Sequence, residues 1–325
     1  MWKRIWIVAS AAIAVLIVAY FGVGYMVYDK LATVTNRPDD SCPPSRAINT
    51  PTQFGDIGGA GWPAFDYAPY YMSHYETVSF PSRQSGLNLS GWYVETKPGA
   101  PAVIFMDGLG GCKYTQTVLL PAGMLARNGF NVLLVDMRDT GDSDHEDGKT
   151  DLGNKEYKDI LGAWDWLVAK GYQPERIGVY AGSLGSLAAL AAFGQEPRVA
   201  ALFVQAPIYS LPQIIQEELA RNGMPSFLWA GVLGAARVIA GDNLLAYQPV
   251  DALRSAGNRP MYAVASRGDT RIGAHHSEQL AQAAQEAGAK LTLWLMDKGE
   301  HMMGAAYYPN EFEARITEFF RQALS

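Results

Sequence analysis

The fold is decided by the stretch Ile177-Gly178-Val179-Tyr180-Ala181-Gly182-Ser183-Leu184-Gly185. Its first half is a short apolar run typical of a buried strand, and an apolar helical pattern follows at 187–193. Small residues stand two places before and after Ser183, which lets a sharp strand-to-helix turn close without clashes. The stretch therefore predicts a nucleophilic serine in a strained turn, with the amide of Leu184 directed at a developing oxyanion. The alternative is a serine that only caps the following helix.

Similar apolar runs, bounded by turn residues and separated by helical patterns, recur from about residue 75 onward. Short continuous apolar runs are typical of buried parallel strands, and regular alternation with helices predicts a sheet covered on both faces. The predicted strands are 75–80, 88–95, 102–106, 132–136, 177–181, 200–205, 261–265 and 291–296. The predicted helices lie near 115–128, 155–170, 184–194, 276–287 and 311–323.

One long insertion, at about 208–250, separates two of these strands and carries short apolar helical runs. An insertion at the carboxyl end of a strand lies above the edge where open sheets hold their sites. The pattern predicts a small helical cap, and the alternative is a plain packing excursion. The apolar residues expected to line a substrate pocket under the cap are Ile214, Leu219, Phe227, Trp229 and Leu233.

A serine nucleophile needs a base, and the base needs an acid that orients it. Of five histidines, only His301 follows the last predicted strand, and so falls at the carboxyl edge with Ser183. Asp269 follows the preceding strand and is the preferred acid because its loop lies at the same edge. Asp297, closer to His301 in sequence, is the rival candidate.

A second oxyanion donor is expected from the loop Asp107-Gly108-Leu109-Gly110-Gly111, and Leu109 is the candidate. Glycines permit the tight backbone that turns an amide toward the nucleophile. A dinucleotide-binding loop would need a third glycine where Lys113 stands. The acidic segment 139–151 is interpreted as a solvated acidic loop, since in a calcium loop counted from Asp142 a glycine would be required where Asp147 stands. No metal or other cofactor is expected.

The first residues predict a membrane segment. Residues 5–27 contain no charge, and 23 helical residues span about 34 Å, enough for a bilayer core. Lys3 and Arg4 precede this run, so the positive-inside rule leaves the N-terminus in the cytoplasm and the rest outside it. In a bacterium this would be the inner membrane, facing the periplasm. A cleaved signal peptide is the alternative.

Composition and charge indicate which partners to expect and where the domain begins. The net charge of −6 without a basic block argues against nucleic acid as a partner. Residues 29–73, rich in proline, glycine and aspartate, are interpreted as an extracytoplasmic linker between the anchor, 1–28, and the domain, 74–325. The two cysteines, Cys42 and Cys112, either form a bond that pins the linker across the glycine loop or remain unpaired thiols.

Residues 75–324 resemble the α/β-hydrolase superfamily, more narrowly its membrane-anchored serine aminopeptidase/monoacylglycerol-lipase-like branch. The resemblance rests on the elbow around Ser183, on 77–83 and 89–94, on the stretch 135–143, and on the Gly-Asp and Gly-x-His pairs that end in Asp269 and His301. Asp107 stands where the family often has histidine, and Ala181 replaces the commoner glycine.

Family membership implies an α/β-hydrolase fold with a mostly parallel eight-stranded sheet. It also implies Ser183 as nucleophile, Asp269 as acid, His301 as base, and oxyanion amides from Leu109 and Leu184. The expected activity is hydrolysis of carboxylic esters or acyl groups on small molecules, by a protein tethered to the lipid bilayer through residues 5–27. Peptidase or thioesterase activity on the same residues, or a catalytically inactive binding protein, remain alternatives.

Overall fold

The computed structural model describes residues 2–34, 42, 49–55 and 62–325. Two compact units are present. One comprises Val34–Tyr209 with Tyr247–Ser325, and the other combines the N-terminal residues through Thr33 with Ser210–Ala246. Of the sequence-predicted linker, residues 35–41, 43–48 and 56–61 lie outside the described part.

The larger unit is built on one sheet, for which the described residues supply eight strands in the order β1-β2-β4-β3-β5-β6-β7-β8. The pairs β1–β2 and β2–β4 are antiparallel, and the other pairs are parallel. The strands are β1 Glu76–Pro81, β2 Asn88–Val94, β3 Ala102–Met106, β4 Asn131–Val135, β5 Ile177–Gly182, β6 Ala201–Gln205, β7 Met261–Ser266 and β8 Leu291–Met296. The prediction of a mostly parallel eight-stranded sheet is confirmed, with strand ends shifted by a residue or two.

Helices cover both faces of the sheet. Alternate residues of β3 show why its sequence is continuously apolar: Ile104 packs in one buried cluster and Phe105 in the other. The helices of the described residues are α1 Trp2–Ala32, α2 Gln116–Arg127, α3 Tyr157–Ala169, α4 Gly185–Gln195, α5 Leu211–Arg221, α6 Trp229–Ala235, α7 Pro249–Ser255, α8 His275–Ala287, α9 Gly304–Tyr307 and α10 Pro309–Ala323. Sequence analysis did not identify the short helices α7 and α9.

From Val34 onward, the described parts of the predicted linker belong to the larger unit. Phe54, Tyr67, Tyr70 and Met72 are buried in the cluster that also contains α2 and α10 residues. The aromatic rings of this set pack on one another; Phe54 and Tyr67, for example, meet edge to face with 5.8 Å between their centroids. Aromatic burial of this kind stabilises the domain, so these four residues belong to its core.

The smaller unit joins the helix α1 to the insertion. Among the described residues, α1 is the one helix long and apolar enough to cross a membrane, a property that membrane anchors and signal sequences share. The insertion contributes α5, a short 3-10 turn at Ser226–Leu228, α6 and a π-helical turn at Ala236–Ala240. Within this stretch the smaller unit comprises Ser210–Ala246, and α7 belongs to the larger unit.

Candidate active site

Ser183 lies directly after β5 in a strained turn. Its φ of +52° is in the left-handed region that non-glycine residues rarely adopt. The turn is held by the Ser183 amide, which donates to the Gln205 carbonyl at 2.9 Å. A side chain at Gly185 would overlap the carbonyl oxygen of Asp107, so the small residue two places after the serine is required by this packing.

Parallel pairing brings the other predicted residues to the same edge. Met106 is level with Ala181, Gly182 with Gln205, and Ser266 with Met296, so the loops after β3, β5, β7 and β8 leave the sheet side by side. The carboxyl ends of parallel strands meet at one edge, which explains why residues far apart in sequence are neighbours here.

A chain of hydrogen bonds links three of the predicted residues. His301 Nε2 lies 2.8 Å from Ser183 Oγ, and His301 Nδ1 lies 2.7 Å from Asp269 Oδ2. The other carboxylate oxygen of Asp269 accepts the amides of Arg271 and Ile272, each at 2.8 Å. The carboxylate is therefore fixed in orientation by its own loop before it contacts the imidazole.

Exposure differs along this chain in a way that suits attack on a substrate. The Asp269 side chain is almost fully buried, whereas 21% of the His301 side chain is exposed. The rival acid Asp297 lies outside the chain of bonds: its side chain is 88% exposed and its carboxylate lies 4.0 Å from Arg267 Nε. A buried acid, a partly exposed imidazole and a hydroxyl can together transfer a proton from serine to a leaving group.

The glycine loop after β3 packs against the serine. A Cβ built on Gly108 would lie 2.7 Å from Ser183 Cβ and 3.2 Å from its Oγ, so only glycine fits this approach. Leu109 and Leu184 line one small cavity next to Gly108. The structure thus brings both predicted oxyanion residues to the same place beside Ser183, and their role as donors stays a prediction.

Asp107 braces this loop, a role that sequence analysis did not identify. Its Oδ1 accepts the Gly108 amide at 2.8 Å, and its Oδ2 accepts the hydroxyls of Thr115 and Thr117. Burial raises the pKa of Asp107, while these three hydrogen bonds and nearby His301 act to lower it. The sequence pattern that could have indicated this role is the pair of threonines at 115 and 117, eight and ten residues after a buried aspartate.

A disulfide bond joins Cys42 to Cys112 at the end of the same loop, with the Cα atoms 5.9 Å apart. The next residue, Lys113, is fully buried, and its ammonium contacts Asp136 and Asp142. Burial acts to raise the pKa of Asp142, but hydrogen bonds from Lys113 and Tyr114 lower it overall. The loop therefore is anchored on both sides of Cys112.

The acidic segment 139–151 uses its carboxylates internally. Asp139 Oδ1 accepts the amides of Glu146 and Gly148 at 2.8 and 2.9 Å, and Asp142 accepts a hydrogen bond from Lys113. These bonds hold the backbone of the acidic segment in place.

The five predicted pocket residues all belong to the smaller unit. Ile214 and Leu219 are buried, Trp229 and Leu233 are half-buried, and Phe227 is 65% exposed. Leu219 lines a groove together with Val23, Met26 and Val27 of α1. Their role in binding an acyl chain stays a prediction.

Comparison with known proteins identifies a family for most of this chain. The sequence pattern of the prolyl oligopeptidase family matches residues 119–325, a range that includes Ser183, Asp269 and His301. No curated protein sequence gives a significant match.

Three solved structures illustrate the shared fold. The Pyrococcus furiosus esterase Pf2001 is 20% identical, with a TM-score of 0.63 over 86% of this chain and 98% of the esterase. The α/β hydrolase GrgF from Penicillium sp. sh18 is 19% identical, with a TM-score of 0.61 over 77% of this chain and 99% of its own. The Pyrococcus horikoshii acylaminoacyl peptidase is 20% identical, with a TM-score of 0.57 over 76% of this chain and 41% of the peptidase.

The resemblance to the α/β-hydrolase superfamily is thereby confirmed in fold. Because the family pattern covers more than half of the chain, the protein belongs to the prolyl oligopeptidase family and is a serine hydrolase of the α/β-hydrolase superfamily.

Proposed function

We propose that this protein is a membrane-tethered serine hydrolase that cleaves carboxylic esters or acyl groups through an acyl-enzyme. One observation carries the proposal: Asp269, His301 and Ser183 form a continuous hydrogen-bonded chain that ends on a serine in a strained turn. A serine hydroxyl becomes a useful nucleophile only when such a base takes its proton.

In the proposed mechanism, His301 Nε2 accepts the proton of Ser183 Oγ as that oxygen attacks the substrate carbonyl. Asp269 holds the Nδ1–H of the imidazole and stabilises the positive charge that forms on it. The amides of Leu109 and Leu184 donate to the oxyanion. His301 then protonates the leaving group, and water activated by the same imidazole hydrolyses the acyl-enzyme to regenerate Ser183. This chemistry requires no metal or organic cofactor.

Peptide hydrolysis is the second candidate, favoured by the family to which the chain belongs. The same residues would carry it, since amide and ester cleavage share the tetrahedral intermediate. The discriminating comparison is kcat/KM for p-nitrophenyl esters of increasing chain length against aminoacyl and peptidyl p-nitroanilides. A preference for the anilides would replace the ester assignment by a peptidase assignment.

Activation of the serine can be tested without knowing the substrate. A fluorophosphonate probe labels only activated serines, so wild type should be labelled and Ser183→Ala should not. Labelling of neither would favour the remaining alternative, a binding protein on an inactive hydrolase scaffold. Equal labelling of both would place the nucleophile at another residue.

We further propose that α1 is an uncleaved anchor and that the hydrolase domain faces away from the cytoplasm. The charges at Lys3 and Arg4 support this orientation, and the bond between Cys42 and Cys112 suits an oxidising compartment. The test is the mass of the mature protein, with protease accessibility in intact and opened membrane vesicles. A mature chain that begins after residue 28 would reject the anchor.

A further inference from the structure

The insertion packs on α1 with its backbone unusually close. A side chain at Gly24 would overlap the carbonyl oxygen of Gly231, and a Cβ on Gly234 would lie 2.5 Å from the ring of Phe21. Small residues that let helix backbones approach are the means by which helices associate in lipid, where the hydrophobic effect gives no help. The contact therefore has the character of a membrane helix pair.

Tyr20 adds polar contacts at the same place. Its hydroxyl donates to the Phe227 carbonyl and accepts the Gly231 amide, both at 2.9 Å. Its ring stacks on that of Phe227 with 6.4 Å between centroids. Unpaired backbone groups at the start of a helix are costly in an apolar environment, so this hydroxyl satisfies two groups that lipid could not.

The position of this contact along α1 indicates how deep in the bilayer the contact lies. A hydrocarbon core about 30 Å thick takes about 20 helical residues, so a span that begins after Arg4 ends near Gly24. The contacting residues Tyr20 to Gly24 then lie within the last ~6 Å of the core. The insertion consequently meets α1 at the outer boundary of the hydrocarbon, where interfacial helices bury their apolar faces by about 5–10 Å.

The segment 226–240 also presents exposed apolar side chains. Val238 is 78% exposed, Ile239 is 54% exposed, and Phe227 is largely exposed as well. The segment contains a single charged residue, Arg237, whose long side chain can place its guanidinium among phosphates while its stem stays in apolar surroundings. Three large exposed apolar side chains on one segment beside a membrane span mark a contact with lipid rather than with water.

From these observations we infer that segment 226–240 is a second membrane element, which lies in the outer leaflet interface beside α1 and fixes the insertion to the bilayer. The inference rests on the membrane anchorage in the proposed function. It assigns Phe227 to lipid instead of to an acyl pocket. α1 supplies the span, and 226–240 supplies a lateral apolar face that prevents the insertion from leaving the surface.

The test uses full-length protein in phosphatidylcholine–phosphatidylglycerol liposomes. Both native cysteines form the disulfide, so one added cysteine can be labelled with an environment-sensitive fluorophore under non-reducing conditions. The test positions are Val238→Cys and Ile239→Cys. Val15→Cys, in the middle of α1, is the membrane control, and Gln322→Cys, exposed on α10, is the aqueous control.

Labels at 238 and 239 are expected to shift to the blue and to be quenched at least twofold more by nitroxide-bearing lipids than the label at 322. Quenching at 15 but not at 238 or 239 would overturn the inference while leaving the anchor intact. Absence of quenching at 15 would refute membrane anchorage itself. Because Val238 and Ile239 are exposed, thermal melting of these variants should match wild type, which separates a local lipid contact from misfolding.

Discussion

Replacement of Asp269 by asparagine tests the proposed mechanism most sharply, because the structure dictates how the new side chain must sit. In the wild type, Oδ1 accepts the amides of Arg271 and Ile272, and Oδ2 faces His301 Nδ1 at 2.7 Å. Asparagine keeps only one oxygen. The two amides require that oxygen, so the NH₂ group must turn toward the imidazole.

An NH₂ group facing Nδ1 makes this nitrogen an acceptor, and the ring proton then sits on Nε2. That tautomer cannot take the proton of Ser183, since its Nε2 lone pair is lost. A tautomeric block of this kind typically costs about 10⁴ in kcat, which corresponds to about 5.5 kcal/mol of transition-state stabilisation. Substrate affinity should change little, because Asp269 is buried behind His301.

The assay is steady-state hydrolysis of a short p-nitrophenyl ester, with thermal melting as the folding control. Asp297→Asn is the matched variant: its side chain is largely exposed, so activity within twofold of wild type is expected. A loss of less than about tenfold for Asp269→Asn, or an equal loss for Asp297→Asn, would refute the assignment of the acid.

Four further outcomes are expected. Ser183→Ala should melt like wild type and lose a factor on the order of 10⁴–10⁶ in kcat, whereas retention of a tenth of the rate would reject the nucleophile. Gly108→Val should lower kcat/KM about 10²–10³-fold, as loss of an oxyanion donor does, because the added side chain has no space beside Ser183. Unchanged kinetics would contradict the close approach of Gly108 to Ser183. Cys42→Ser should lower the free energy of unfolding by up to about 4 kcal/mol in denaturant titrations, since the bond to Cys112 spans 70 residues. If reduction of the wild type left its free energy of unfolding unchanged, that result would argue against the bond. Hydrogen bonds from Arg198 and Arg83 lower the pKa of Glu196 to about 2. The ionised Glu196 therefore stabilises the fold above its unfolded pKa of about 4.3, and this stabilisation disappears as pH falls toward 2. The difference in melting temperature between wild type and Glu196→Gln should shrink over that range, and a constant difference would contradict the pairing.

Much of the larger unit follows from local sequence alone. Its strands are short apolar runs that must be buried on both faces, and Ile104 and Phe105, which face opposite clusters, show why no alternation appears. The turn at Ser183 is also readable from local sequence, because small residues stand two places before and after the serine. Since the carboxyl ends of parallel strands meet at one edge, the order of the motifs along the chain predicts the candidate site at that edge.

Other features depend on contacts that sequence does not encode locally. The buried position of Asp269, held by two amides of its own loop and facing His301, and the exposure of Asp297 are not revealed by residue type. Asp107 acquires its bracing role from Thr115, just before α2, and from Thr117 within it. The pairing of Cys42 with Cys112 requires a Cα separation that sequence does not give.

The sequence by itself therefore determined the sheet, the serine in its turn after a strand and the candidate base His301, because each depends on periodicity or on order along the chain. The tertiary structure shows what the insertion packs against. Its apolar helices suggested a cap, and hydropathy cannot tell which surface covers them. The close approach of Gly24 to Gly231 reveals the partner as α1, since such packing depends on backbone shape rather than on side-chain polarity.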